Sequence, residues 1–132
     1  LNRWTKTTPY VPSLFKEGIE GRSKGVPMVT IETLDFNTAE KARKGVFSQP
    51  QALVNYLHLK QGQEVPKHLA NADMVYLIVL QGEGVFNFEE KDHVMKHGQL
   101  AAVTRGTPMH ITNQRPEDLG FLVIKTPNPE IE

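Results

Sequence analysis

The sequence predicts an all-β fold, a small barrel or sandwich, and three observations lead there. From Val65 onward the chain divides into short, evenly spaced apolar segments separated by turn residues, the rhythm of strands joined by tight connections. Met74 to Leu80 is a nearly continuous apolar run of strand length, which reads as a strand covered on both faces. Val85–Phe88 and His93–Lys96 flank the polar stretch Glu89–Asp92, the pattern of a β-hairpin around its turn.

The chain of 132 residues suits one domain with a core of its own. Fifteen Lys and Arg residues balance fifteen Asp and Glu. Phosphate backbones need clustered cations, so nucleic acid is not an expected partner. There is no Cys, which removes disulfides and thiolate metal sites and suits a cytoplasmic setting. The longest apolar run falls well short of the roughly 20 residues of a membrane span, and no signal-peptide pattern is visible. No Gly-rich phosphate loop and no nucleophile-elbow serine is present.

Residues 1–27 lack periodicity but hold Trp4, Tyr10, Leu14 and Phe15 among prolines and glycines. Large apolar groups are costly to expose, so an ordered arm packed on the body or on a second subunit is expected. Met28 to Phe36 alternates apolar and polar residues, with one slip at Glu32-Thr33, and predicts a half-buried strand with a bulge. Asn37 to Gly45 reads as a turn or short helix ending at Gly45. Gln51 to Lys60 is a further strand, with Leu53, Leu57 and Leu59 on one face and Tyr56, His58 and Lys60 on the other. Leu100–Val103 and Leu119–Lys125 complete the strands, and Pro127 and Pro129 block pairing beyond them. The expected division is an arm with its first strand and turn over 1–45, a barrel over 46–126 and a tail over 127–132.

The centre of the chain carries a two-part pattern. Gly62 is followed after five residues by His68, and the segment closes at Gly82; later Gly98, Gly106 and Asn113 stand in a second register. This arrangement resembles the paired motif of the cupin superfamily, over about residues 50 to 126. The resemblance implies a double-stranded β-helix, or jelly-roll barrel, and a range of roles from dioxygenases, decarboxylases, isomerases and epimerases to plain ligand binders. It also implies a homodimer.

The family's metal-binding positions fall on His68, Ala70, Val75 and Met109. Ala and Val offer no lone pair and Met only a soft thioether, so a hard divalent ion is not expected at this set. The resemblance instead places His68 in an apolar pocket with Ala70, Val75, Leu77, Val79 and Met109, where desolvation would favour a neutral imidazole. A small organic ligand without a metal cofactor is the first expectation. The alternative is a metal-dependent oxygenase or isomerase with a rearranged site of His68 and His110, joined by His58 or Asp73. His110 lies one residue from the family position, which turns it to the opposite face unless a bulge re-aims it. His110 and His58 otherwise read as surface or interface histidines. His93 and His97, four apart, would share a strand face in a solvated hairpin. Tyr56, Tyr76 and Arg105 are candidates for a second reacting group beside His68.

Overall fold

Nine antiparallel strands build two facing sheets in the computed structural model, which describes residues 28–37 and 41–131. All nine strands fall within one compact unit, residues 34–132. The expected arm over 1–27 lies outside the described residues. So does part of the expected turn or helix at 37–45.

The first sheet runs in the order β1 (Ala42–Gln49), β2 (Ala52–Leu59), β9 (Leu119–Thr126), β4 (Met74–Gln81) and β7 (Leu100–Thr104). The second runs β3 (Glu64–Leu69), β8 (Pro108–Thr112), β5 (Glu83–Phe88) and β6 (Lys91–Lys96). Strands distant in sequence are thus neighbours in space, which gives the jelly-roll barrel that the sequence predicts. Leu59, Val75, Leu77, Val79, Leu119 and Phe121 of the first sheet meet Phe86, Met109 and Ile111 of the second in one buried core. Phe86 packs edge-on against Phe121 with ring centroids 5.3 Å apart, a favoured aromatic geometry.

Several local expectations need correction. Residues 28–36 form no strand, and Val29 and Ile31 are exposed; alternation makes a strand only where an edge accepts its hydrogen bonds. The segment over 37–45 is not a helix where it is described. Ala42–Gly45 opens β1, which pairs with β2 through a bulge between Gly45 and Phe47. β4 is fully covered on one face only: Val75, Leu77 and Val79 are buried while Tyr76 is 39% exposed. The hairpin turn is shorter than Glu89–Asp92. Phe88 pairs with Lys91, leaving Glu89 and Glu90 alone at the tip with φ of 52° and 68°. The tail over 127–132 does not pair as a strand, yet Asn128 is buried. Its Nδ2 donates to Ser48 Oγ at 2.9 Å, and its backbone N–H donates to the Pro50 carbonyl at 3.1 Å.

Candidate functional site

A strand face repeats every second residue, and that rule builds the site. Leu53, Asn55, Leu57 and Leu59 of β2 oppose Lys125, Val123, Phe121 and Leu119 of β9 in register. All eight therefore point to the inside of the barrel. Two of them, Asn55 and Lys125, are polar. Val75 and Leu77 of β4 continue the row beside Lys125 and Val123.

Between the sheets, at the end where these residues lie, is a cavity of about 500 Å³. Leu57, Leu77, Phe121 and Val123 line it from the first sheet, and Val65, Met109 and Ile111 from the second. Its polar lining is Arg43, Asn55, Lys67, His68, Asn71, Lys125 and Glu130. Asn55 is only 3% exposed, and its side-chain amide makes no hydrogen bond among the described residues. Arg43 pairs with Glu130 at 3.6 Å and Lys67 with Glu90. Lys125 makes neither a hydrogen bond nor an ion pair among the described residues. Burial, with Arg43 nearby, holds its ammonium below the usual lysine range, and Glu130 partly offsets this from a distance. Glu130 reaches the cavity because buried Asn128 pins the tail; the Asn128 Oδ1 accepts the Glu130 N–H at 2.9 Å.

Of the residues named from the sequence, His68, Leu77 and Met109 line this cavity. Ala70 and Val75 do not: both are buried in the core beside it. His68 and Met109 are register partners across β3 and β8, after a bulge between Val65 and His68. Pro66 has no N–H for the ladder, so the extra residue falls where a bond is missing anyway. His68 is nevertheless exposed, at the rim, with Nδ1 2.9 Å from its own strand's Pro66 carbonyl. The expected desolvated imidazole is not what the fold makes of it.

The alternative metal set is not assembled. His110 turns to the face opposite Met109, and its Nε2 lies 2.6 Å from Glu64 Oε1. Asp73 is 70% exposed and accepts from Arg105 at 3.0 Å. His58 is wholly buried, which corrects its reading as a surface or interface histidine, and it lies on the face of β2 away from the cavity. Among the described residues no three His, Asp or Glu side chains gather where they could hold a metal ion. The family positions present one imidazole, one thioether and two hydrocarbon groups, and these do not fit a divalent ion.

His58 belongs to a second polar network. Its Nδ1 faces the Tyr56 hydroxyl at 2.9 Å and its Nε2 lies 2.8 Å from Asp118 Oδ2. A carboxylate only accepts, so Nε2 donates there. Lys60 Nζ donates to the same oxygen at 2.6 Å. These bonds, Lys60 first and then His58, hold the Asp118 carboxyl below its usual range. Burial, with Asp118 and Asp35 adding, pushes Tyr56 up to about 12. Tyr56, Tyr76 and Arg105 thus all stand apart from the cavity. His93 lies on β6 and His97 in the turn beyond it, so they share no strand face.

Asn55 and Lys125 escaped the sequence reading, although their signal was present. Each is a polar residue in phase with apolar ones: Leu53-x-Asn55-x-Leu57 and Phe121-x-Val123-x-Lys125. Arg43 and Glu130 carry no such signal, because a strand bulge and a pinned tail bring them in.

The fold and cavity define a class: a double-stranded β-helix barrel open at one end to a ligand-sized space. The chain belongs to the cupin family, matching its Cupin domain over residues 55–125. It is 33% identical over 78 residues to an uncharacterised protein of Methanocaldococcus jannaschii, a match spanning 58% of this chain and 66% of that one. Among solved structures, an RmlC-like cupin from the same organism superposes with a TM-score of 0.72 at 25% identity, over 80% of this chain and 96% of that one. A Klebsiella pneumoniae protein with a double-stranded β-helix domain gives 0.63 at 22% identity, over 70% and 81%. A Thermus thermophilus protein gives 0.65 at 24%, over 73% and 91%. The last two show the shared fold alone.

Proposed function

We propose that this cupin binds a small organic ligand in the open end of its barrel, without a family-type metal. The observation that carries this reading is Asn55. Its amide opens on the cavity with no protein partner among the described residues, so its donors and acceptor are free to meet a ligand there. The cavity volume lies within the range of about 300–1,000 Å³ typical of small-molecule sites, and its apolar floor with a few polar groups has their usual make-up. The rival reading, a metal-dependent oxygenase or isomerase on His68 and His110, has no convergent ligand set behind it. The test is elemental analysis of untagged protein, followed by a ligand-observed NMR screen of small organic fragments. Hits that vanish in Val123→Trp, which fills the cavity, would support the proposal. A near-stoichiometric transition metal lost on His68→Ala would overturn it.

We also propose that the protein works as a cytoplasmic homodimer with no nucleic-acid or membrane partner. The balanced charge supports the latter point, and no helix among the described residues is long and apolar enough to cross a membrane. Light scattering at micromolar concentration should give twice the mass of one chain; the mass of a single chain would refute the dimer.

A further inference from the structure

Lysine is rarely placed on the interior face of a barrel strand. An ammonium away from water needs a counter-charge, and proteins seldom bury one without it. Lys125 stands in phase with Phe121 and Val123, between Leu53 of β2 and Val75 of β4. It lines the cavity and has no anionic partner within ion-pair reach among the described residues. Its register partner on β4 is Val75, a hydrocarbon side chain that offers no counter-charge.

The other charged groups of the cavity are mostly cationic too. Three cations, Arg43, Lys67 and Lys125, line the cavity against one carboxylate, Glu130. The Arg43–Glu130 and Lys67–Glu90 pairs satisfy two of the three. Asn55 lies on the same inner face as Lys125, two rungs along the β2–β9 ladder. Its unpartnered amide supplies N–H donors without charge.

We propose that the ligand is an organic monocarboxylate, its carboxylate held by Lys125 Nζ and the Asn55 amide and its hydrocarbon body lying on the apolar floor. This rests on the reading of the cavity as a ligand site and adds the chemical class. A carboxylate has two acceptor oxygens, which suits one ammonium and one amide donor. A phosphate dianion would want more cationic donors than the inner wall offers. The floor of Leu57, Leu77, Met109 and Val123 matches an alkyl or aryl body and gives no partner to further polar groups. The partly buried setting of Lys125, which holds its ammonium below the usual lysine range, agrees, since such a group gains from a counter-ion.

The experiment uses two pairs of probes of equal shape: hexanoate with hexanamide, and benzoate with benzamide. Each is titrated into the full chain while the methyl NMR signals of Leu57, Leu77 and Val123 are followed. The expected result is that the acids shift these signals and the amides need at least about tenfold higher concentration, equivalent to about 1.4 kcal/mol. Lys125→Met keeps the aliphatic stem and removes the charge; it should weaken the acids about tenfold and leave the amides unchanged. Equal binding of acids and amides, unaffected by Lys125→Met, would overturn the carboxylate assignment and leave the cavity reading standing. Cavity signals unmoved by all four probes, in a chain whose spectrum remains that of a folded protein, would overturn both. The comparison of acids with amides needs no variant, so it stands even if Lys125→Met folds poorly.

Discussion

Asn113 shows how one residue can matter to the fold more than to the chemistry. It is fully buried; its Nδ2 donates to the carbonyls of Leu59 at 2.9 Å and Glu117 at 2.8 Å, and its Oδ1 accepts the Arg115 N–H at 2.9 Å. One side chain thus ties the end of β2 to the loop after β8. Asn113→Ala would orphan these backbone groups and should lower stability by about 2–4 kcal/mol in urea unfolding. Gly82 is a comparable case. It takes φ +71°, and a Cβ there would stand 2.1 Å from the Asp118 carbonyl oxygen. Backbone cannot give way as a side chain can, so Gly82→Ala should destabilise by more than about 2 kcal/mol, read from the same unfolding curve. Both residues belong to the motif legible in the sequence, but their tasks were not. Spacing identifies a position, while the partners of its side chain come from other strands.

At the scale of elements, the β5–β6 hairpin is an unoptimised turn. Its two central residues, Glu89 and Glu90, both adopt positive φ, a conformation that favours Asn-Gly. Glu89→Asn with Glu90→Gly should raise stability by about 1 kcal/mol, since the Lys67–Glu90 pair it removes is largely exposed and contributes little. The denaturation midpoint checks this, provided the dependence on denaturant is unchanged. On β2, the outward Tyr56 and His58 form a polar seam with Asp118. Gly120 permits it, because a Cβ there would come within 2.3 Å of the Tyr56 hydroxyl oxygen. His58→Ala leaves both a hole and unpaired partners, and should cost about 3 kcal/mol. The alternation of β2 was readable from its sequence. What covers its outer face was not, because Asp118 lies 60 residues away.

At the scale of the whole molecule, Asp118 links stability to pH. Its folded-state pKa lies below its unfolded value, through the Lys60 and His58 hydrogen bonds. Its contribution is therefore present above the unfolded carboxylate value, near about 4, and is lost as pH falls through the lower folded value. Stability of the native chain should fall on acidification through that window. Asp118→Asn should be less stable at neutral pH and show a shallower acid dependence, measured as unfolding free energy at a series of pH values. An unchanged slope would show that other carboxylates dominate.

The barrel was legible because its signals are local and mutually consistent: period-two alternation, short segments, turn residues and a motif in register. Those features determine that strands form, and the family pattern determines how they are ordered. The depleted metal set could also be read directly, since Ala70 and Val75 carry no donor atoms in any fold. Only the tertiary structure decided the rest. A bulge at Pro66 sets His68 at the rim, the register of β2 with β9 sets Asn55 and Lys125 on the inner face, and the Asn128 anchor brings Glu130 beside Arg43. The physical reason is the same each time: facing and burial depend on which distant strand supplies the hydrogen bonds, and a single residue of slip inverts the outcome.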